Sequence, residues 1–227
     1  MINYYEQIDK KFLDSNQPNP NFDLHGFKIP FRACVVSPSG SGKTNFVTGL
    51  ISLFCKNKGT FNDITIICKD NSEPLYKYLA SKSDSIQVKE GLHSLPNLDD
   101  FDKDLSHLVI IDDMVLDKNQ SKICEYYIRC RKRNVSIMYL SQSYFMIPKI
   151  IRNNCNYLII LKMSGDREVN LIMKESGLGL SKQQLLGIYE FATDTKFSPL
   201  IINIEETDKH KKFRKGFDLN INPDDFV

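Results

Sequence analysis

The stretch "FRACVVSPSGSGKTNFVTGLI", residues 31–51, decides the fold. "RACVV" is a short apolar, β-branched run and reads as a buried strand. From Lys43 to Cys55 the apolar residues Phe46, Val47, Leu50, Ile51 and Phe54 recur at helical spacing. The loop between them, S-P-S-G-S-G-K-T at residues 37–44, matches the pattern G-x-x-x-x-G-K-[ST] except for its first position. Gly40 and Gly42 let the backbone curl so that successive N–H groups face one point. The following helix adds its N-terminal dipole there. Such a loop holds phosphates, and residues Ser37, Pro38, Ser39, Gly40, Ser41, Gly42, Lys43, Thr44 and Asn45 form the expected nucleotide cradle. Lys43 is placed for the β- and γ-phosphates, and the Thr44 hydroxyl for Mg²⁺. Ser37 stands where a glycine is usual, and there it only has to turn the chain out of the strand.

Apolar strands and helical patterns alternate along the rest of the chain. "DITIIC" (63–68), "HLVIIDD" (107–113), "VSIMYLSQS" (135–143), "NYLIILK" (156–162) and "SPLIINI" (198–204) are expected strands, with "SIQVK" (85–89) a short one. Helices are expected near 73–82, 118–131, 148–153, 166–176 and 181–191. Continuous apolar strands separated by helices indicate a mostly parallel sheet covered on both faces, a three-layer α/β fold. Ligands in such sheets bind at the carboxyl ends of the strands, so the loops after Val36, Ile111 and Leu140 are expected to meet. The expected division is an extension over 1–30, a nucleotide-binding domain over 31–205 and a basic tail over 206–227.

"LVIIDDM" ends a buried strand in two acids. Asp112 suits the Mg²⁺ shell, and Asp113, one residue on, suits polarisation of an attacking water. The bland alternative is a helix N-cap. "VSIMYLSQSYF" ends in Ser141-Gln142-Ser143, and an amide there can touch the γ-phosphate or the water. A strand inserted between the two motif strands separates the additional-strand ATPases from simple P-loop kinases.

The 227 residues carry 41% hydrophobic and 26% charged side chains and a net charge of +2, so global charge selects no partner. The N-terminal residues resemble neither a signal nor a transit peptide, and no apolar run is long enough to span a membrane. The six cysteines form no CxxC pair and read as free thiols of a reducing compartment. The four histidines show no metal-ligand spacing. Local charge is uneven: "RCRKR" (129–133) and "KHKKFRK" (209–215) are basic, and "DDFDKD" (99–104) is acidic.

"IPFRACVVSPSGSGKTNF", "LVIIDDM" and "RCRKRNVSIMYLSQSYFMIPKIIRNNCNYLIILK" together resemble the genome-packaging ATPases of large double-stranded DNA viruses, the poxvirus-type ATPase and its virophage relatives, within the FtsK–HerA superfamily. The likeness runs over about residues 28–220. "YLSQSYFMIPKIIRNNCNY" is its most specific part, and the closing "FRKGFD" also fits. The resemblance implies an additional-strand P-loop fold and an ATP- and Mg²⁺-dependent motor. It implies translocation of double-stranded DNA into a preformed capsid, in the host cytoplasm at the virus factory and at the virion. It further implies a homo-oligomeric ring, pentameric or hexameric, docked on a capsid vertex, with an arginine supplied across each subunit junction. Arg131 matches that position best, and Arg129 and Arg133 are the other candidates. Asp113 departs from the Glu that relatives elsewhere in the superfamily use, which leaves the catalytic base less fixed than the metal ligand.

A motor that accepts any sequence grips phosphates rather than base edges. "KHKKFRK", Lys149 with Arg152, and the loop in "CKDNSEPLYKYL" (68–79) are candidates for that grip. Competing readings are a translocase or helicase of the same superfamily outside packaging, a small-molecule P-loop kinase, and a nucleotide-binding switch without catalysis. Lys43, Thr44, Asp112, Asp113 and Gln142 occurring together argue against the last.

Overall fold

The computed structural model describes Gln7 and residues 18–226. The remainder of the expected 1–30 extension lies outside the described residues. The described residues form a nine-stranded sheet. Its strands are β1 (Arg32–Val36), β2 (Asp63–Cys68), β3 (Ile86–Glu90), β4 (His107–Asp112), β5 (Val135–Ser141), β6 (Tyr157–Ile160), β7 (Leu200–Asn203), β8 (Phe213–Lys215) and β9 (Leu219–Ile221). Their order is β3-β2-β4-β5-β1-β6-β7-β8-β9. The first six are mutually parallel, and β7, β8 and β9 run antiparallel to their neighbours. β5 lies between β1 and β4, the insertion that the sequence led us to expect.

The strands alternate sides with a period of two. Cys34, Val36, Val109, Ile111, Ile137, Tyr139, Leu158 and Ile160 face one core. Ala33, Val35, Leu108, Ile110, Met138, Leu140 and Ile159 face the other. Helices cover both. α1 (Phe22–His25), α2 (Lys43–Phe54) and α3 (Pro74–Ala80) lie on the second face. α4 (Ser121–Arg129), α5 (Lys149–Asn154), α6 (Arg167–Ser176) and α7 (Lys182–Ala192) lie on the first. Each fully buried Leu, Ile or Phe in these layers contributes about 1.5–3 kcal/mol. The three-layer α/β class is thus the observed one.

Two segments depart from expectation. Of residues 206–227, read as a basic tail, those described, up to 226, continue the domain: α8 (Lys209–Lys212) leads into β8 and β9, which extend the sheet. The reason is in the side chains. Phe213 and Ile221 are buried, and Arg214 donates to the carbonyls of His25 (3.0 Å), Phe217 (3.1 Å) and Gly26 (3.2 Å). The charge run hid these few buried positions. At the other end, residues 18–30 are tied into the core. Asn21 donates to the carbonyls of Phe54 (3.1 Å) and Lys56 (2.8 Å), satisfying acceptors at the end of α2, and Phe27 packs against Phe31 and Tyr157.

The cysteines are free; Cys34, Cys68, Cys130 and Cys155 are buried, and Cys55 is exposed. Among the described residues no helix is long and apolar enough to cross a membrane, and no His, Cys, Asp or Glu cluster is arranged to hold a metal through three such side chains.

Candidate nucleotide site

The loops after β1, β4 and β5 meet at the carboxyl edge of the sheet. Ser37 N–H donates to the Ser141 carbonyl (3.1 Å), and Asp113 N–H to the Leu140 carbonyl (3.1 Å), so the three loop starts are stitched together. Ser37 is fully buried and is not among the residues with positive φ. The position therefore needs no glycine, which is the physical reason that the departure from the motif is tolerated. Gly40 and Gly42 do need it, with φ of 75° and 97°. Gly42 precedes α2, whose first-turn N–H groups, those of Lys43, Thr44 and Asn45, have no intrahelical partner.

Lys43 Nζ donates to the Ser37 carbonyl at 2.9 Å, across the mouth of the loop. Burial lowers its affinity for the proton, and Asp112 and Asp113 work against that. Asp112 shows the opposite effect. Burial raises its carboxyl above the usual range, opposed by a hydrogen bond from Tyr76 and by the Lys43 charge. The Tyr76 hydroxyl, fully buried on α3, donates to Asp112 Oδ2 at 2.6 Å. Asp113 has φ 54°, in the left-handed region, and accepts from Gln142 Nε2 at 2.8 Å. The Gln142 loop is itself held: Ser143 Oγ and Tyr144 N–H donate to the two Glu168 oxygens, each at 2.6 Å.

A cleft of about 530 Å³ opens over this arrangement, lined by Ser39, Gly40, Gly42, Lys43, Thr44, Asn45, Asp112 and Asp113. Three further lining residues, Glu73, Leu75 and Phe197, were not expected from the sequence. Glu73 caps α3, accepting from Leu75 N–H, and Pro74 follows it at the first helical position, a cap signal that was legible. Phe197 gave no signal. The structure thus gathers Lys43, Thr44, Asp112, Asp113 and Gln142 at one edge. It does not bring the arginines there. Arg131 lies in the 3₁₀ turn Cys130–Arg133 before β5, at the opposite edge of the sheet. Arg129 pairs with Glu125 and Asp99, and Arg133 pairs with Asp99, whereas Arg131 is exposed and makes no ion pair among the described residues.

Two of the expected DNA contacts are also engaged elsewhere. Arg152 pairs with Glu175 at 3.0 Å, its side chain 10% exposed, and Arg214 is buried against backbone carbonyls. The helical part of 68–79 turns Tyr76 to Asp112 and Leu75 to the cleft, which makes it a wall of the nucleotide site.

The family model described as Poxvirus A32 protein matches residues 22–213. No curated protein matches the chain. Among solved structures, the chain resembles B204, the DNA-packaging ATPase from Sulfolobus turreted icosahedral virus, at 13% identity over 78% of this chain and 94% of that one, with a TM-score of 0.55. The genome packaging NTPase B204 from Sulfolobus turreted icosahedral virus 2, in complex with ATPγS, is similar at 13% identity over 77% and 93%, with a TM-score of 0.52. EssC (ATPases 2 and 3) from Geobacillus thermodenitrificans is similar at 12% identity over 84% and 40%, with a TM-score of 0.58. These likenesses concern the fold. With the family model spanning the phosphate loop, the paired acids and the Gln142 strand, the chain belongs to the Poxvirus A32 protein family, a family of genome-packaging ATPases.

Proposed function

We propose that this ATPase drives double-stranded DNA into a preformed capsid, working as a homo-oligomeric ring, pentameric or hexameric, seated at a capsid vertex in the host cytoplasm. The observation that carries the site assignment is the meeting of Lys43, Asp112, Asp113 and Gln142 at one sheet edge, with Gln142 Nε2 2.8 Å from Asp113. In this reading the N–H groups of residues 39–45 bind the phosphates and Lys43 neutralises the β- and γ-oxygens. Asp113 accepts the proton of the attacking water, and Gln142 orients the carboxylate and the water together.

The residues also fit a Mg²⁺ ion. Tyr76 occupies one Asp112 oxygen and leaves acceptor capacity on the other, and burial leaves that carboxylate short of positive charge. Thr44 and Asp112 would hold the ion, whose chemistry is to neutralise charge on the β- and γ-phosphates. A ring accounts for Arg131. Lying at the far edge of the sheet, it serves the γ-phosphate of a neighbouring subunit and not its own, a role worth about 10³ to 10⁵ in rate.

Steady-state ATP hydrolysis at high protein concentration, with and without long double-stranded DNA, tests this together with Lys43→Ala and Arg131→Ala. Stimulation by DNA, lost in each variant and partly restored on mixing them, is expected. Hydrolysis indifferent to DNA with Arg131→Ala fully active would remove both the ring and the motor.

A further inference from the structure

β7 runs antiparallel to β6, and Leu200 at its start is level with Ile160, which is level with Val36. The chain entering β7 therefore crosses the same sheet edge that carries the phosphate loop, two strands away. The residue that reaches the loop is Phe197. A Cβ built on Gly42 would lie 2.2 Å from Phe197 Cδ1, so the ring rests against the glycine that opens α2. The ring lines the nucleotide cleft, and 41% of the residue is exposed.

Two features separate Phe197 from an ordinary surface aromatic. Its φ is 70°, a left-handed backbone that a bulky L-residue rarely adopts. Such strain persists only where the surroundings over-determine it. The surroundings here do so. Ser198 N–H donates to the Thr195 carbonyl (3.0 Å), Lys215 Nζ to Asp194 Oδ1 (2.6 Å), and Gly216 N–H to the Pro199 carbonyl (3.0 Å). The next residue, Phe217, stacks on Phe46 of α2 with centroids 5.4 Å apart and planes at 17°. The turn between β8 and β9 thus braces the Phe197 loop against the helix that follows the phosphate loop. The bracing does not bury the ring, so apolar burial is not what the strained loop achieves. It keeps a partly exposed aromatic ring at a cleft otherwise lined mainly by polar groups.

We propose that Phe197 is the platform on which the nucleobase stacks when phosphates occupy the loop. The inference rests on residues 37–45 being the nucleotide site and adds what recognises the other end of the ligand. The phosphates are bound by backbone N–H groups and Lys43, none of which contacts a base. A π-face beside the loop supplies affinity for the nucleoside end that inorganic polyphosphate lacks. Lys196 Nζ, 4.9 Å from the ring centroid on the same loop, adds positive charge near it.

The chain contains no tryptophan, so Phe197→Trp introduces a single indole reporter. Full-length Phe197→Trp, with Mg²⁺ present, is titrated with ATP and separately with inorganic tripolyphosphate. Wild type, Phe197→Ala and Phe197→Tyr are titrated with the same two ligands by calorimetry. The expected result is indole quenching by ATP and not by tripolyphosphate. In calorimetry, Phe197→Ala should bind ATP about 10-fold or more weakly, tripolyphosphate affinity should be unchanged, and Phe197→Tyr should match wild type. Phe197→Ala binding ATP as tightly as wild type would overturn the proposal. So would tighter binding of both ligands, which would make the ring a gate over Gly42. Wild type binding tripolyphosphate but not preferring ATP would sink the platform and keep the phosphate loop; wild type binding neither would remove both.

Discussion

Tyr76, fully buried on α3, donates its hydroxyl to Asp112 Oδ2 at 2.6 Å. The bond joins a helix that carries none of the nucleotide motifs to the carboxylate assigned to the metal. Partners of this kind orient a ligating group and typically account for 10- to 100-fold in metal affinity. Without the hydroxyl, the buried Asp112 carboxylate loses a donor and binds its proton more tightly, so a cation must compete harder for it. Tyr76→Phe keeps the ring that packs in the core. Its Mg²⁺ half-saturation for ATP hydrolysis should rise by about 10-fold or more, with the thermal midpoint little changed. A superimposable Mg²⁺ titration would reduce Tyr76 to a packing residue.

Asp113 has φ 54°, and Asp and Asn tolerate the left-handed region better than most residues. That preference gives a reason for the shorter acid where related ATPases carry Glu. Asp113→Asn should keep the backbone and the nucleotide affinity and lose turnover by about 10²-fold or more. Asp113→Glu should not behave as a conservative change; it should lose about 1 kcal/mol of stability as well as activity. Loss of nucleotide binding in Asp113→Asn would instead make Asp113 the metal ligand and reverse the two roles. Gln142→Ala, which removes the 2.8 Å bond to Asp113, should lower kcat with ATP affinity retained.

Two histidines set opposite limits of pH. Burial, with a smaller contribution from the Arg214 charge, lowers His25 from the ordinary 6.5 to about 4. Its folded value lies below its unfolded one, so its contribution to stability is complete above pH 6.5 and is lost as the pH falls towards 4. His107 behaves in the other sense. Burial pulls its pKa down, but the hydrogen bond to Asp63 (2.7 Å), the Asp102 carbonyl (2.8 Å) and the nearby carboxylates outweigh it, and the net shift is upward. Its contribution is present below the unfolded value and fades as the pH rises through the folded one. The thermal midpoint of His107→Gln should therefore fall further below wild type at pH 6 than at pH 8. A deficit of equal size at both would mean that no imidazolium pairs with Asp63.

The strands and the phosphate loop were legible because each is a local pattern. "RACVV", "DITIIC" and "HLVIIDD" are buried on both faces, so the apolar run is unbroken, and S-G-S-G-K-T allows few backbone paths. The placement of Asp112, Asp113 and Gln142 at one sheet edge was legible for the same reason: each ends a strand whose carboxyl edge the topology fixes. Tyr76 and Phe197 were not, because they reach the site through tertiary packing from a helix and a loop with no motif of their own. Residues 213–221 failed differently. The buried positions Phe213, Arg214 and Ile221 are few and embedded in lysines, so two short strands read as a solvated tail.

That misreading separates two kinds of cation in "KHKKFRK". Lys209 and Lys211 are exposed, pairing with Asp224 and Asp208 at the surface. Such pairs are weak and leave the charges available to phosphate. Arg214 is buried, donates to three backbone carbonyls and lies over the Phe27 ring at 5.4 Å. Arg214→Ala should cost about 3 kcal/mol, because three acceptors lose a charged donor at once. Arg214→Lys should not restore it, since an ammonium cannot reproduce the planar fork. Lys209→Ala and Lys211→Ala should leave the stability within about 0.5 kcal/mol of wild type. Where these lysines meet the duplex, each should lower DNA affinity at every sequence and reduce the slope of log affinity against log salt by about 1. A salt slope identical to wild type in both variants would move the DNA grip off this segment, and a folded, stable Arg214→Ala would contradict the buried role assigned to it.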